Sequence, residues 1–302
     1  TLTMSGGTIT KTGGDQTFVG RDNGIGTLTQ SGGTITLNHD FYVGQGAGGD
    51  GTLNLSNGAV LNTGRDFVIG REGGTGELNM TGGTITKTGD EKMIVGHNNG
   101  TGTVVQSGGT INVNQNQLYI GNENTGALGT YTLSGTAALN VADEVVVGRE
   151  SGTGVLNVNG GTLTTEGNGN MYIGRRNGTG TLNQTDGVVN VNREFGVGTR
   201  DDNKIGTGTY NLSGGSLSAS NNIFIGKEQG SSGTMDMTGG TMSTSDKLQI
   251  GHNQATGVLT QSGGTINVQN EVFIGNENSG SSVGTYTLSG TGAVNVGNEI
   301  IV

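Results

Sequence analysis

Residues 27–44 read TLTQSGGTITLNHDFYVG, and this stretch decides the fold. It holds three short apolar segments, around Leu28, Ile35 and Val43, separated by Ser/Gly and Asn/His/Asp breaks. Within each segment apolar and polar residues alternate with a period of two, the signature of a half-buried strand. The segments are too short, and glycine too frequent, for helix. The closing motif, a β-branched residue before glycine, recurs at Gly20, Gly44, Gly70, Gly96, Gly121, Gly148, Gly174, Gly198, Gly226, Gly251 and Gly275, at spacings of 24 to 28 residues. Val302 is the twelfth copy, one residue short of its glycine.

Aligned on that period, the chain forms columns. One is Leu2, Leu28, Leu53, Leu78, Val104, Tyr131, Leu156, Leu182, Tyr210, Met235, Leu259 and Tyr286. A second runs Ile9, Ile35, Val60, Ile85, Ile111, Leu139, Leu163, Val189, Leu217, Met242, Ile266 and Val294, and a third precedes each glycine, from Val19 to Val302. None of these positions is charged, and a disordered chain has no reason to hold such columns. A fourth column, Met4, Gln30, Leu55, Met80, Gln106, Leu133, Val158, Gln184, Leu212, Met237, Gln261 and Leu288, repeats every three coils, and the intervals Gly70–Gly148 and Gly148–Gly226 are both 78 residues. The reading is an all-β chain, a right-handed parallel β-helix (β-solenoid) with about three short strands per coil and about twelve coils. It forms one continuous domain over 1–302 in four triplets (about 1–70, 71–148, 149–226 and 227–302), an internal slice of a longer repeat protein.

Composition agrees. The 302 residues include 64 Gly and no Pro, which would remove a ladder donor in any coil. A net charge of −10 with few basic residues excludes a nucleic-acid footprint and a polybasic membrane anchor. No apolar run reaches the length of a membrane-spanning helix. The absence of Cys excludes disulfides and thiolate metal sites.

The SGGTI corner, the GTLT opening and the Gly/Thr/Asn bias resemble the β-strand repeats of autotransporter passenger domains and related bacterial surface proteins. The resemblance covers the whole chain. It implies a right-handed parallel solenoid on the bacterial surface or outside the cell, serving as a stiff rod in a fibre, filament or adhesin stalk; because such passenger solenoids also carry enzyme loops, the scaffold of a secreted polysaccharide-active enzyme is a further alternative. The residues of this chain themselves point to no enzymatic activity, cofactor or metal.

Individual residues offer little chemistry. His97 and His252 share a coil position but lie six coils apart, about 29 Å at the strand spacing; with His39 they read as surface residues. Asp22, Glu72, Glu123, Glu150, Glu228 and Glu277 follow the glycine corner, often after Arg or Lys, and read as a charge-mixed corner; the calcium-binding nonapeptide is missing. No coil carries the long insertion on which solenoid polysaccharide-active enzymes build paired carboxylates. Thr8, Thr34, Thr84, Thr110, Thr162, Thr241 and Thr265 form an outward rank broken by Ala59, Ala138, Val188 and Ala293. Such Thr/Asn faces admit a second reading, a glycan- or ice-binding surface. Between the two inward positions of the last segment stand Phe18, Tyr42, Tyr119, Tyr172, Phe224 and Phe273, expected to form an outward apolar stripe for lateral self-association. Open coil ends favour end-to-end continuation. Sequons at Asn54, Asn79, Asn99, Asn177, Asn183 and Asn211 are candidate glycan attachment points.

Overall fold

In the computed structural model, which describes residues 1–276 and 281–302, the chain is all β, with no helix among the described residues. Each coil holds three strands. In one early coil these are Ile25–Gln30, Thr34–Leu37 and Phe41–Gln45, after which Asp50–Leu55 opens the next coil. Like strands pair in parallel from coil to coil, so Leu28 lies beside Leu53 and Leu53 beside Leu78. The third strands form a ladder from Thr17–Arg21 to Ile300–Ile301. First and second strands share one sheet of 22 strands, because in Thr153–Thr165 and Thr179–Val191 the pairing continues through the corner between them, with register shifts at Asn159.

The expected columns point inward: Leu53, Leu78, Ile85, Ile111, Ile69 and Val95 are all buried in one continuous core. One assignment is corrected. Val60 does not belong to the inward column; Leu61 pairs with Ile35 and Ile85 and is fully buried, while Val60 pairs with Thr34 and faces out. The corner Ser56–Ala59 is one residue longer than Ser31–Gly33, and a one-residue slip exchanges the two faces of a strand. Val60, rather than Ala59, therefore interrupts the Thr rank. A further inward column opens the third strand, where Phe41 and Phe67 stack with ring centroids 5.3 Å apart.

Two glycine columns bring the third strand against the first strands that follow it. Gly44 has φ 71°, and a Cβ there would lie 1.8 Å from the Thr75 carbonyl oxygen. Gly51 faces it, and a Cβ there would lie 2.3 Å from the Gly44 amide nitrogen and 2.0 Å from the Val19 carbonyl oxygen. The first column was evident as the repeat marker; the second, through Gly26, Gly51, Gly76 and Gly102, fills inward positions with no side chain at all.

The every-third-coil column has a polar explanation. Gln106 is fully buried; its Nε2 donates to the carbonyls of Gly109 (3.1 Å) and Ala138 (3.0 Å), and its Oε1 accepts from the Tyr131 hydroxyl at 2.5 Å. Gln184 with Tyr210 and Gln261 with Tyr286 repeat the arrangement. Each glutamine thus ties its own corner to the second strand of the next coil. Burial pushes the Tyr131 phenol up, so it stays a protonated donor. In the first triplet Leu53 stands where the tyrosine would be, and Gln30 Oε1 has no partner.

One coil departs from the others. Phe195–Asp201 turns back on Lys204–Ile205 as a small antiparallel hairpin, so the coil between Gly198 and Gly226 absorbs its extra residues outside the stack.

Two measurements test this account. Gly121→Ala, whose Cβ would lie 2.0 Å from the Thr153 carbonyl oxygen, should destabilise by roughly 3 kcal/mol or more. Gly13→Ala, with nothing within 4 Å, should change urea unfolding little. Gln106→Leu should cost about 1–3 kcal/mol by leaving the buried Tyr131 hydroxyl unpaired and removing the amide's bonds to the corner, where the Gly109 carbonyl keeps only the Ala138 amide, and Tyr131→Phe should recover part of that loss in the same background. Gln30→Leu should cost less, because one of its bonds is already missing; equal losses at both sites would contradict the pairing.

Candidate functional site

The third-strand face decides between an exposed stripe and a covered one. Tyr42, Tyr119, Tyr172 and Phe224 lie outside the main core, as alternation requires, but they are 3%, 3%, 7% and 3% exposed. With Val68, Ile94 and Val146, the three tyrosines form a second apolar cluster, and Phe18 packs half-buried against it. Phe273 is half-buried. The expectation of an apolar stripe facing water is therefore corrected.

The cover is cationic. Arg21, Arg71, Arg149, Arg175, Lys227 and Lys247 lie over the rings of Phe18, Tyr42, Tyr119, Tyr172, Phe224 and Phe273, at 4.4, 4.7, 4.6, 4.5, 4.5 and 5.4 Å from the ring centroids. The left-handed glycine explains how. In Thr17–Arg21 it falls between Phe18 and Arg21 and breaks the alternation, so ring and guanidinium meet on one side. Carboxylates hold the cations in turn: Glu72 binds Arg71 at 2.8 Å, Glu144 and Asp201 bind Arg175 at 2.5 and 3.0 Å, and Glu194 binds Lys227 at 2.8 Å. The phenols reach the same rim, with Tyr42 donating to Asp40 at 3.1 Å and Tyr172 to Glu194 at 3.3 Å. Such ring–cation contacts strengthen when desolvated. The signal was present in the sequence, because a cation follows Phe18, Tyr172 and Phe224 by three residues.

The roof thins where His97 and Asn122 replace arginine, leaving a hollow of about 350 Å³ lined by Ile94, His97, Tyr119, Glu123, Arg149 and Arg176 among others. His97 lies 3.8 Å from Glu123; burial holds its imidazole below the usual value against the pull of that carboxylate. Burial, then the Lys227 ammonium, lowers His252, whose ring meets Phe224 edge-on at 5.3 Å. His39 is half-buried beside Arg65, 3.2 Å away. The histidines are thus packed against neighbours rather than freely solvated.

The acidic corner residues sit where the chain turns from third to first strand. Asp22, Glu72, Glu123, Glu150 and Glu228 all have positive φ, between 46° and 71°; Glu277 lies outside the described residues. Glu150 gathers three cations, Arg149 at 3.5 Å, Arg176 at 2.9 Å and Lys204 of the hairpin at 2.6 Å. Asp22, Glu72 and Glu150 pair with cations, and no group of three or more His, Asp or Glu is placed to hold a metal among the described residues.

The sequons divide into two kinds. Asn54, Asn79, Asn183 and Asn211 lie half-buried on first strands, where their amides form ladders: Asn79 donates to Asn54 at 3.2 Å, Asn183 to Asn157 at 2.9 Å and Asn211 to Asn183 at 2.8 Å. Asn99 and Asn177 are exposed in tight corners with φ of 66° and 65°. Only these two have the exposed turn geometry that suits an attachment point.

One buried charge lies apart. Lys87 replaces an apolar residue at an inward second-strand position, is 1% exposed and donates to the Gly89 carbonyl at 2.7 Å. Burial lowers its pKa to about 8 against the opposing pull of Asp66, Glu91 and Asp90.

No family model matches the chain, and no curated protein matches it. One solved structure is similar, the crystal structure of a TibC-catalyzed hyper-glycosylated TibA55-350 fragment, at 17% identity over 96% of this chain and 99% of that one, with a TM-score of 0.37. The glycosylation named there is that fragment's. No helix among the described residues is long and apolar enough to cross a membrane.

Lys87 supplies the prediction for this region. Its folded pKa lies below the 10.5 of an ordinary lysine, so between about 8 and 10.5 the unfolded chain holds a proton that the folded chain releases. Stability from this group therefore rises with pH across that window, and its burial cost is fully present below it. Lys87→Val should stabilise the chain at pH 7 by about 1–3 kcal/mol, and the gain should shrink as pH approaches 10.5. A gain that is the same at both ends, in urea titrations, would show that the buried amine carries no charge penalty.

Proposed function

We propose that this chain is a structural module, a stiff β-solenoid rod in an extracellular surface fibre, filament or adhesin stalk, with no catalytic site of its own. One observation carries the reading: each of the three strand positions pairs in parallel with its counterparts above and below, through glycine corners that allow no side chain. Bending such a stack breaks ladder bonds in several strands at once. Coil-by-coil pairing also makes stability grow with repeat number, which suits a spacer. The resemblance of the SGGTI and GTLT motifs to autotransporter passenger repeats supports a bacterial cell-surface location, and the rod assembles by self-association or by continuation of the coil stack from end to end.

A second reading has one observation in its favour. Thr179, Thr181 and Asn183 pair in register with Thr207, Thr209 and Asn211, a neutral hydrogen-bonding rank suited to glycan or ice. Electron microscopy discriminates. The rod reading expects straight particles with an axial periodicity of about 14 Å, three coils at the strand spacing. Flexible or collapsed particles would refute it, and glycan-array or ice-growth activity in short, unassembled particles would favour the second reading.

A further inference from the structure

Outward positions of the second strands are the first and third residues of each, as in Thr84–Lys87, Thr110–Val113 and Ala138–Val141. None of the 24 acidic and 14 basic residues occupies one of them. The residues are Thr, Ser, Asn, Ala and Val, and most are half-exposed. The other faces differ. The third-strand face carries the ranks of arginine and carboxylate, and the first-strand face carries Asp50, Glu77 and Asp236 outward.

We infer that this charge-free second-strand face is a lateral interface, and that its occupant is the same face of a second copy of this chain. The inference deepens the self-association part of the rod reading and rests on it. Three observations select the occupant. First, a chain of net charge −10 meets its own copy at least cost where no ion must be desolvated or opposed. Second, the side chains are already ordered along the rod: Asn140 donates to Asn112 at 2.9 Å, Asn62 to Thr36 at 3.4 Å and Ser218 to Asn190 at 3.0 Å. Ladders of this kind line the dry interfaces between stacked parallel sheets, and side chains held before contact lose little entropy on closing. Third, the size is right. A face four residues wide and about twelve strands tall covers about 750 Å² at the usual strand dimensions, so a pair buries about 1,500 Å², within the range of stable interfaces. No aromatic side chain stands at these outward positions to stack on a sugar ring. Towards its C-terminal end the face deepens into an open groove of about 620 Å³ lined by Ser218, Ser243, Asn267 and Asn295 with their neighbours, which leaves room for the partner's side chains.

The test is sedimentation velocity of the 302-residue chain over a concentration series. Wild type should form reversible dimers, because a face that meets its own copy is used up by one partner. Thr86→Glu/Thr164→Glu/Val188→Glu should weaken association at least tenfold with an unchanged far-UV spectrum. Arg149→Gln on the roofed face should leave association intact. Because the chain has no Cys, Thr164→Cys offers a route that does not depend on the triple variant folding. It should crosslink with a bismaleimide far more than Thr209→Cys on the first-strand face. Wild type that stays monomeric at all concentrations, association that survives the triple substitution in folded protein, or equal crosslinking at both cysteines would overturn the inference. So would a glycan bound through this face by a monomer. Rods seen by microscopy while the chain stays monomeric would overturn this inference and leave the rod reading standing.

Discussion

At every coil the backbone of the third strand lies against the first strands that follow, with nothing between them. Gly44 and Gly51 meet in that contact, and Gly70 and Gly76 repeat it in the next coil, where a Cβ on Gly76 would lie 2.4 Å from the Gly70 amide nitrogen. This approach fixes how tightly the coil closes. It also fixes the direction of the chain after the third strand, because the first glycine of each pair has positive φ. Inward side chains can fill the interior without voids only once that closure is set. The small variation in coil length follows: extra residues enter at corners, as in Ser56–Ala59, or leave the stack as a hairpin at Lys204–Ile205.

Closure alone does not say which coil stacks on which. Leucine, isoleucine and valine columns tolerate a shift by one coil, since the neighbour offers the same residues. The buried Gln–Tyr pairs do not. Beyond the Gly187 carbonyl of its own corner, Gln184 finds its second acceptor and its donor only with Ser216 and Tyr210 in the next coil; a shift would leave a buried amide oxygen and a phenol unpaired. A polar pair of this kind specifies register at some expense of stability. The 78-residue period in the sequence is thus a period of polar locks, and the first triplet, with Leu53 beside Gln30, carries an incomplete one.

The sequence made the coil, its period and its inward columns legible because burial acts on every coil alike and leaves columns. It was less informative where one coil differs from its neighbours. Val60 and Leu61 are both apolar, so only the pairing shows that a longer corner moved Leu61 into the interior. The third-strand face misled for another reason. Alternation placed Tyr119 and Tyr172 outside the core correctly, but it could not show that a left-handed glycine reverses the pleat within the same strand and folds Arg175 over Tyr172. The sequons look equivalent as tripeptides; strand or corner placement separates Asn183 from Asn177.

The same reversal also determines which surfaces remain for partners. Arg21, Arg175 and Lys227, after the glycine, cover the ring of their own strand, whereas Arg71 and Arg149 cover the ring of the preceding coil, and each of them meets a carboxylate, so these ions gather on that face and at the corners beside it. The hairpin adds Asp201 and Lys204 to the same side, joining Arg175 in the adjacent coil and Glu150 two coils away. Ion pairs of this density stiffen a surface but make it costly to dehydrate. The second strands lie outside this system: their inward residues fill the core, their outward residues are small and neutral, and their amides are satisfied along the axis by ladders such as Asn140 on Asn112. Glycine geometry that gathers the ion pairs on the third-strand side, with Asp50, Glu77 and Asp236 on the first-strand side, therefore leaves the second-strand side neutral, ordered and open to contact.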